Sequence, residues 1–361
     1  MSARSVYIIA TPYHFLLCAG VASYVDKNPD KRLVIASHFK DTEKWVSALR
    51  GWKRNPFSDI LVVGERRSGV AAEKVATMRA NLASIGSTLK SPPGPFDAFV
   101  FNIEQPEGQL VAYECSKRKG ACTYVEDGIG AYTRRDIRDP LHLLIVKKLL
   151  YGLWFERVST QIEYQYFDKA LVLRPDLVPK KPDNVELSAI PADIFERLDK
   201  DGLVNLIFKE YGEKPAQDCE AIVFLPFHIA AEQMGYERTV AAYSRIIDAL
   251  IRKGIRTLVK YHPREDKGDF LSISGMKGIK TVHQAITSEL LFLRWKKSGK
   301  RIVIGDTTTA LSSCKLMVPD AKSISIIDIL GYDDKVGLGG LFSKWDVLRP
   351  KTMEELLSLL D

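Results

Sequence analysis

The stretch SVYIIATPYHFLLCAG, residues 5–20, decides how the rest of this chain is read. From Ser5 to Thr11 it is a short run of β-branched and aromatic residues that stops on a hydroxyl followed by proline. Pro12 suits the first turn of a helix, where its missing N–H is not needed, so a strand feeds directly into a helix predicted over Pro12 to Tyr24. The alternation then repeats. Strands are predicted at Arg32 to His38, Asp59 to Glu65, Asp97 to Glu104 and Ala121 to Asp127, with helices at Asp41 to Leu49, Val70 to Ile85 and Gly108 to Lys119. Strand and amphipathic segment in regular succession make parallel βα units, a Rossmann-type half of an α/β protein.

After Tyr132 the grammar changes. Arg134, Arg135 and Arg138 precede LHLLIVKKLLYGLWFERV (141–158), then aromatic-rich IEYQYFDKALVL (162–173), then proline-punctuated PDLVPKKPDNVELSAIP (175–191). This region is read as the last helices of the first domain and a connection. From Ala221 the βα alternation resumes with AIVFLPF, a helix over Glu237 to Lys253, IRTLVKYHP, a helix near Ser288 to Lys297, RIVIGD, a helix carrying Ser312 and Ser313, and SISIID. A second Rossmann-like domain follows, so the expected division is residues 1–215 and 216–361, and 361 residues suit two domains of ordinary size.

Hydrophobic content of 46% and charged content of 27% are those of a soluble globular chain. No apolar run reaches the roughly 18 residues of a spanning helix, and Met1 to Arg4 lead into a strand rather than a secretory signal, so a cytoplasmic location is expected. The five cysteines are scattered, without C-x-x-C spacing, and read as reduced, non-catalytic thiols. A formal charge of +7 fits an anionic partner such as a nucleotide, a phosphorylated glycolipid or an anionic membrane; no nucleic-acid-binding motif is present. The segment His142 to Val158 sets leucines among Lys147, Lys148 and Arg157. Such a helix lies in a core or at a lipid interface, and core packing is favoured because ordinary globular helices show a similar stripe.

Three polar signals stand at the ends of predicted strands, where the ligand crevice of an open α/β sheet forms. Glu126-Asp127-Gly128 offers two carboxylates and a turn glycine; one carboxylate can take a proton from a hydroxyl, though Asp-Gly also serves as an ordinary turn. His262-Pro263 offers an imidazole able to donate a proton or hydrogen bond to a leaving phosphate, or simply a surface histidine ending a strand. Thr307, Thr308, Thr309, Ser312 and Ser313 open a helix, where N–H groups and hydroxyls bind phosphate without a metal, although capping by Thr307 or Thr308 uses some of them. Weaker candidates are Thr11, Tyr13 and His14 as an acceptor grip, Pro226 and His228 beside a donor, and Asp306 as an orienting group. Asp333-Asp334 reads as a solvated turn rather than a metal motif, and neither a Walker loop nor a dinucleotide fingerprint occurs.

Taken in order, YVEDG (124–128), KYHPRE (260–265) and TTTALSS (307–313) resemble the motifs of bacterial sialyltransferases and polysialyltransferases, and VYIIATPYHFLLCAG resembles the opening of the lipooligosaccharide sialyltransferase group. The likeness is confined to these islands; the region from Arg134 to Cys219 carries none. The resemblance implies a GT-B-type α/β architecture of two facing Rossmann-like domains with an interdomain cleft, the acceptor on the first and a CMP-sugar on the second. It implies metal-independent, inverting transfer of sialic acid or a related nonulosonic acid to a surface glycan such as lipooligosaccharide or capsule, without a cofactor. Asp127 or Glu126 is then the base, with Asp127 preferred. His262 assists departure of CMP, and Ser312, Ser313 and Thr308 hold its phosphate, with Gly128, Pro263, Thr307, Thr309 and Pro226 around the donor. The alternatives are a Kdo transferase, a nucleotide-sugar epimerase on the same architecture, or a non-catalytic nucleotide-sugar-binding component of polysaccharide assembly.

Overall fold

The computed structural model describes residues 4–36, 39–64, 71–133, 141–158, 161–179, 183–214, 218–265, 268–273, 275–295, 299–334 and 337–361. Arg134, Arg135, Arg138 and Lys335 lie outside the described residues, as do the predicted strand ends at Ser37, His38 and Glu65 and the helix ends at Val70 and Lys297. The chain divides into two compact units, one running to Leu203 and the other from Val204 onward.

The first unit runs β1 (Arg4–Ile9), α1 (Pro12–Tyr24), β2 (Asp30–Ala36), α2 (Thr42–Gly51), β3 (Asp59–Val63), α3 (Ala71–Lys90), β4 (Asp97–Val100), α4 (Pro106–Lys117), β5 (Cys122–Val125), α5 (Leu141–Tyr151), β6 (Lys169–Val172), β7 (Glu186–Ala189) and α6 (Ile194–Lys200). Its strands form one sheet in the order β3-β2-β1-β4-β5-β6-β7. Every neighbouring pair is parallel, so all strand carboxyl ends share one edge. The order reverses between β1 and β4, which sets the ends of β1, β4 and β5 side by side. Helix α1 is apolar all round and accordingly buried from His14 to Ala22, packed against α6. Its start is as the sequence predicts: the Thr11 hydroxyl accepts from the His14 N–H at 3.2 Å, and Pro12 opens the first turn.

The second unit carries α7 (Leu203–Glu210, with the unit boundary at its first residue), β8 (Ala221–Phe224), α8 (His228–Gln233), α9 (Tyr236–Arg252), β9 (Thr257–Lys260), β10 (Ile279–Thr281), α10 (Ser288–Leu293), β11 (Ile302–Gly305), α11 (Ala310–Met317), β12 (Lys322–Ser325), α12 (Leu338–Lys344) and α13 (Met353–Leu359). The sheet order is β10-β9-β8-β11-β12, again wholly parallel, with the reversal between β8 and β11. Val223, Ile304 and Ile324 from the strands meet Tyr243, Ile246 and Leu250 of α9 in its core.

Two expectations change. The region read as helices and a connection contributes β6 and β7 to the first sheet, giving seven strands. Both are four-residue strands, and Glu186 and Ala189 of edge strand β7 are exposed, so the alternation that marks a longer strand is absent. The expected packing of the 142–158 helix into a core also fails: α5 has no buried residue. Among the described residues no helix is long and apolar enough to cross a membrane.

Gly108, in the first turn of α4, lies where a Cβ would stand 2.0 Å from the Asn102 carbonyl oxygen and 3.2 Å from Val100 Cγ1. The obstruction is backbone and cannot swing aside. Gly108→Ala is therefore expected to lower unfolding free energy by about 1–3 kcal/mol, the usual penalty of overpacking. A urea midpoint equal to that of the parent protein would show that the α4 start shifts freely.

Candidate functional site

In the first unit, β1, β4 and β5 deliver one polar cluster to the shared sheet edge. Asp127 follows β5 directly, and Gly128, at φ +59°, bends the chain into a short 3-10 turn over Gly128–Ala131. The Asp127 side chain remains 19% exposed, with Oδ1 on His14 Nε2 and Oδ2 accepting from Asn102 Nδ2 at 2.7 Å. Both partners are themselves fixed. His14 Nδ1 accepts from the Ala10 N–H at 3.3 Å, so the ring proton of neutral His14 sits on Nε2 and points at Asp127. Asn102 Oδ1 accepts from the N–H groups of Glu104 and Gln105 at 2.9 and 3.2 Å, which turns its amide NH2 toward the carboxylate. The Asp127 N–H donates to the buried Tyr124 hydroxyl at 3.0 Å.

Glu126 has the opposite setting. It is 3% exposed and accepts from the Tyr13 hydroxyl at 2.8 Å, the Leu173 N–H at 2.7 Å and the Tyr132 hydroxyl. It ties the start of α1, the end of β5 and the end of β6 together. Of the predicted acceptor grip, Thr11 is occupied as a cap, Tyr13 is bound to Glu126, and His14 is fully buried. The expectation that His14 touches an acceptor is thus corrected: it positions Asp127.

In the second unit, β9, β8 and β11 are consecutive, so the outer two ends lie roughly 10 Å apart at normal strand spacing. His262 follows β9, and its Nδ1 accepts from the Arg264 N–H at 3.0 Å, leaving the proton on Nε2 without a protein partner among the described residues. Its ring lies against Phe227, centroids 5.1 Å apart. Pro226, expected beside the donor, is buried; Phe227 is the residue of that loop reaching His262. Glu265, 3% exposed, joins the same two loops by accepting from the His228 N–H at 2.8 Å, with His228 Nδ1 at 3.3 Å from its other oxygen. Pro263 is exposed beside His262.

After β11, Asp306 is buried and orders its loop, accepting from the Tyr243 hydroxyl at 3.1 Å and from the N–H and hydroxyl of Thr307. Thr308 Oγ1 accepts from the Ala310 N–H at 3.2 Å, the local capping that the sequence allows. The backbone N–H groups of Thr308 and Thr309 donate to nothing among the described residues. Ser312 is 8% exposed and its Oγ has no hydrogen-bond partner; Ser313 is half-buried beside it. Among the described residues the start of α11 thus carries two N–H groups without acceptors and, one turn on, a buried hydroxyl without a partner, a pattern that suits an anion. Among the described residues no group of three His, Cys, Asp or Glu side chains is arranged to hold a metal ion.

No protein-family model matches the sequence, and no curated protein matches it. Solved structures are similar in fold. UDP-GlcNAc 2-epimerase from Methanocaldococcus jannaschii, in complex with UDP-GlcNAc and UDP, aligns over 99% of this chain and 91% of its own with TM-score 0.58 and 12% identity. The 2,6-sialyltransferase of Vibrionaceae Photobacterium sp. JT-ISH-224, in a ternary complex with CMP and lactose, aligns over 96% of this chain and 78% of its own with TM-score 0.58 and 13% identity. Phytolacca americana UGT2 aligns over 100% and 89% with TM-score 0.50 and 11% identity. The fold is GT-B. In each of its two Rossmann-like domains the candidate groups occupy the carboxyl edge of a parallel sheet, next to the strand-order reversal.

Burial pushes Glu126 up to about 7, against its three hydrogen bonds, with the neighbouring charge of Asp127 adding to the rise. His262 is pushed down to about 4 by burial and by the cations Lys260 and Arg264, so it is neutral near pH 7. Lys260 is lowered to about 8 by burial, its ammonium donating to the Gln284 carbonyl at 3.0 Å.

The Glu126 shift predicts a pH signature. Below its unperturbed value of 4.5 the carboxyl is protonated in folded and unfolded chains alike. Between 4.5 and about 7 the unfolded chain releases the proton while the folded one keeps it, so stability falls with rising pH across that window and is level above it. The contribution is roughly 3 kcal/mol. Glu126→Gln, whose amide can donate to Tyr13 Oη, removes it. The melting temperature of the variant should thus gain on the parent between these pH values, whereas an offset independent of pH would refute the shift.

Proposed function

We propose that this chain is a metal-independent, inverting glycosyltransferase that moves sialic acid or a related nonulosonic acid from a CMP-sugar to a hydroxyl of a bacterial surface glycan, lipooligosaccharide or capsule. The observation that carries this reading is the held yet accessible carboxylate of Asp127, beside a Glu126 sealed from solvent. Two similar folds in complexes with a nucleotide or nucleotide sugar, one of them a sialyltransferase with CMP and lactose, support it by analogy.

On this reading residues 1–215 are the acceptor side and 216–361 the donor side. Asp127 takes the proton of the acceptor hydroxyl as that oxygen attacks the anomeric carbon, and the bond from that carbon to the phosphate oxygen breaks with inversion. Asp127 is preferred to Glu126 for this task because Glu126 is buried and engaged by Tyr13, Tyr132 and Leu173. The departing phosphate is received by neutral donors: the N–H groups of Thr308 and Thr309, the Ser312 hydroxyl and the Nε2–H of His262. Fixed dipoles of this kind stabilise developing charge without reorganising during the reaction. A histidine neutral near pH 7 acts here as a hydrogen-bond donor, not as an imidazolium acid. Thr307 is engaged by Asp306 and shapes the loop rather than holding phosphate.

The epimerase reading stays as the second one because the epimerase aligns with the same TM-score as the sialyltransferase, 0.58. Donor profiling decides between them, since an epimerase converts a UDP-sugar with no acceptor present. Within CMP-sugars, competition between CMP-sialic acid and CMP-Kdo distinguishes the two transferases.

With CMP-sialic acid and a glycan acceptor, Asp127→Asn should lower kcat by at least about a hundredfold, as for loss of a general base, while the donor KM changes little. His262→Ala should lower kcat by a comparable factor, as for loss of one donor to a developing anion. Near-normal turnover in either variant removes the role assigned to that residue.

Turnover should persist unchanged in excess EDTA. Loss of activity with EDTA, restored by a divalent ion, would replace the neutral-donor account with metal assistance.

A further inference from the structure

Helix α5 turns its apolar side outward. Leu141, Ile145 and Leu149 follow one another on successive turns at 69%, 53% and 74% exposure, flanked by Val146 at 48% and Leu143 at 40%. At 100° per residue, Leu141, Ile145, Leu149 and Val146 share an arc of about 140°. Just past the helix, Leu153 is 81% exposed. A helix of a solvated domain carries polar residues on that arc; here His142 is the single polar side chain within it.

The helix is anchored from beneath. It packs on α3, Tyr151 meets Phe155 edge-on at 5.3 Å between centroids, and Trp154 stacks on Tyr113 at 6.2 Å. At the same 100° per residue, Lys148 lies about 20° outside Leu141, at the border of the apolar arc, whereas Lys147 lies about 100° beyond Val146 on the anchored side, its ammonium 5.9 Å from the Phe155 ring centre; both are half-buried. No aspartate or glutamate occurs from Leu141 to Phe155. Leucine and isoleucine at the centre with a lysine at the border and no acid is the composition of a helix lying in a bilayer interface. Eleven residues extend only about 16 Å, too short to span a bilayer but long enough to lie on one.

We propose that α5 and Leu153 form a docking face for an anionic lipid bilayer, with Leu141, Ile145, Leu149 and Leu153 entering the headgroup boundary and Lys148 meeting lipid phosphate. Charge selects this occupant over a second copy of the chain. A two-fold pairing through α5 would bring Lys148 of one copy toward that of the other, whereas an anionic surface complements it and the overall charge of +7.

The test is flotation of the full chain with phosphatidylcholine vesicles, with and without phosphatidylglycerol. The parent protein should float with the anionic vesicles. Partitioning should fall at least about tenfold in Ile145→Glu/Leu149→Glu and in Lys148→Glu. Leu153→Glu, outside the helix, gives an independent reading if a helix variant proves unstable on melting. Failure of the parent to bind anionic vesicles, or equal binding by stable variants, overturns the proposal. So does a parent that sediments as a dimer and is made monomeric by Ile145→Glu/Leu149→Glu, which would assign the face to a second copy.

Discussion

The arrangement in the first unit rests on one constraint: a carboxylate has to be fixed at a strand end without being sealed. Asp127 meets it through two donors whose own orientations are predetermined. His14 has its other nitrogen committed to the Ala10 N–H, and Asn102 has its carbonyl committed to Glu104 and Gln105. Neither donor can turn away without losing a backbone partner, so the carboxylate orientation is set before any ligand arrives. The sheet makes this possible because the three strands concerned are neighbours, although their residues are 88 and 113 positions apart from His14 by way of Asn102 and Asp127 respectively in the fold of β1, β4 and β5.

The second unit uses its acids differently. Glu265 and Asp306 are buried and spend their lone pairs on His228, Tyr243 and Thr307, so that they stiffen the loops and present no negative charge toward a ligand. On the proposed reading the groups left for a ligand are an imidazole N–H, two backbone N–H groups and the buried, unpartnered Ser312 hydroxyl, with the exposed Arg264 beside His262. Lys260 is too buried to contact a ligand directly, yet its charge helps to keep His262 unprotonated. A phosphate held here, as proposed, would meet fixed dipoles with the cations Lys260 and Arg264 near His262.

Most of this framework was legible because parallel strands advertise themselves. The strand starting at Ser5 and the helix over Pro12–Tyr24 could be read from β-branched residues and a proline at the right place, and the helix bounds agree with the structure. The three motifs could be placed at strand ends for the same reason. Strands β6, β7 and β10 could not be: β7 and β10 are exposed edges of mixed polar composition, and β6 follows an aromatic-rich stretch outside the βα alternation that marks strands of equal length elsewhere. The roles of His14 and Asn102 were illegible for a different reason. A histidine in a helix start and an asparagine after a strand are commonplace alone; only the order β1-β4-β5 brings them to Asp127, and order is a tertiary property. The same limit applied to α5, whose apolar stripe reads identically whether it faces a core or solvent.

That last ambiguity bears on function. The outward apolar face belongs to the same unit as Asp127, the unit assigned to the acceptor. A soluble oligosaccharide acceptor gives no reason for such a face, which on a soluble protein is an aggregation liability. An acceptor carried on a lipid does, because docking confines enzyme and acceptor to one surface and raises their effective concentration without any new contact at the reacting atoms. If both proposals hold, the lipid-linked glycans are the natural acceptors, and Lys148 with the outward leucines of α5 governs access to the substrate rather than the chemistry performed on it.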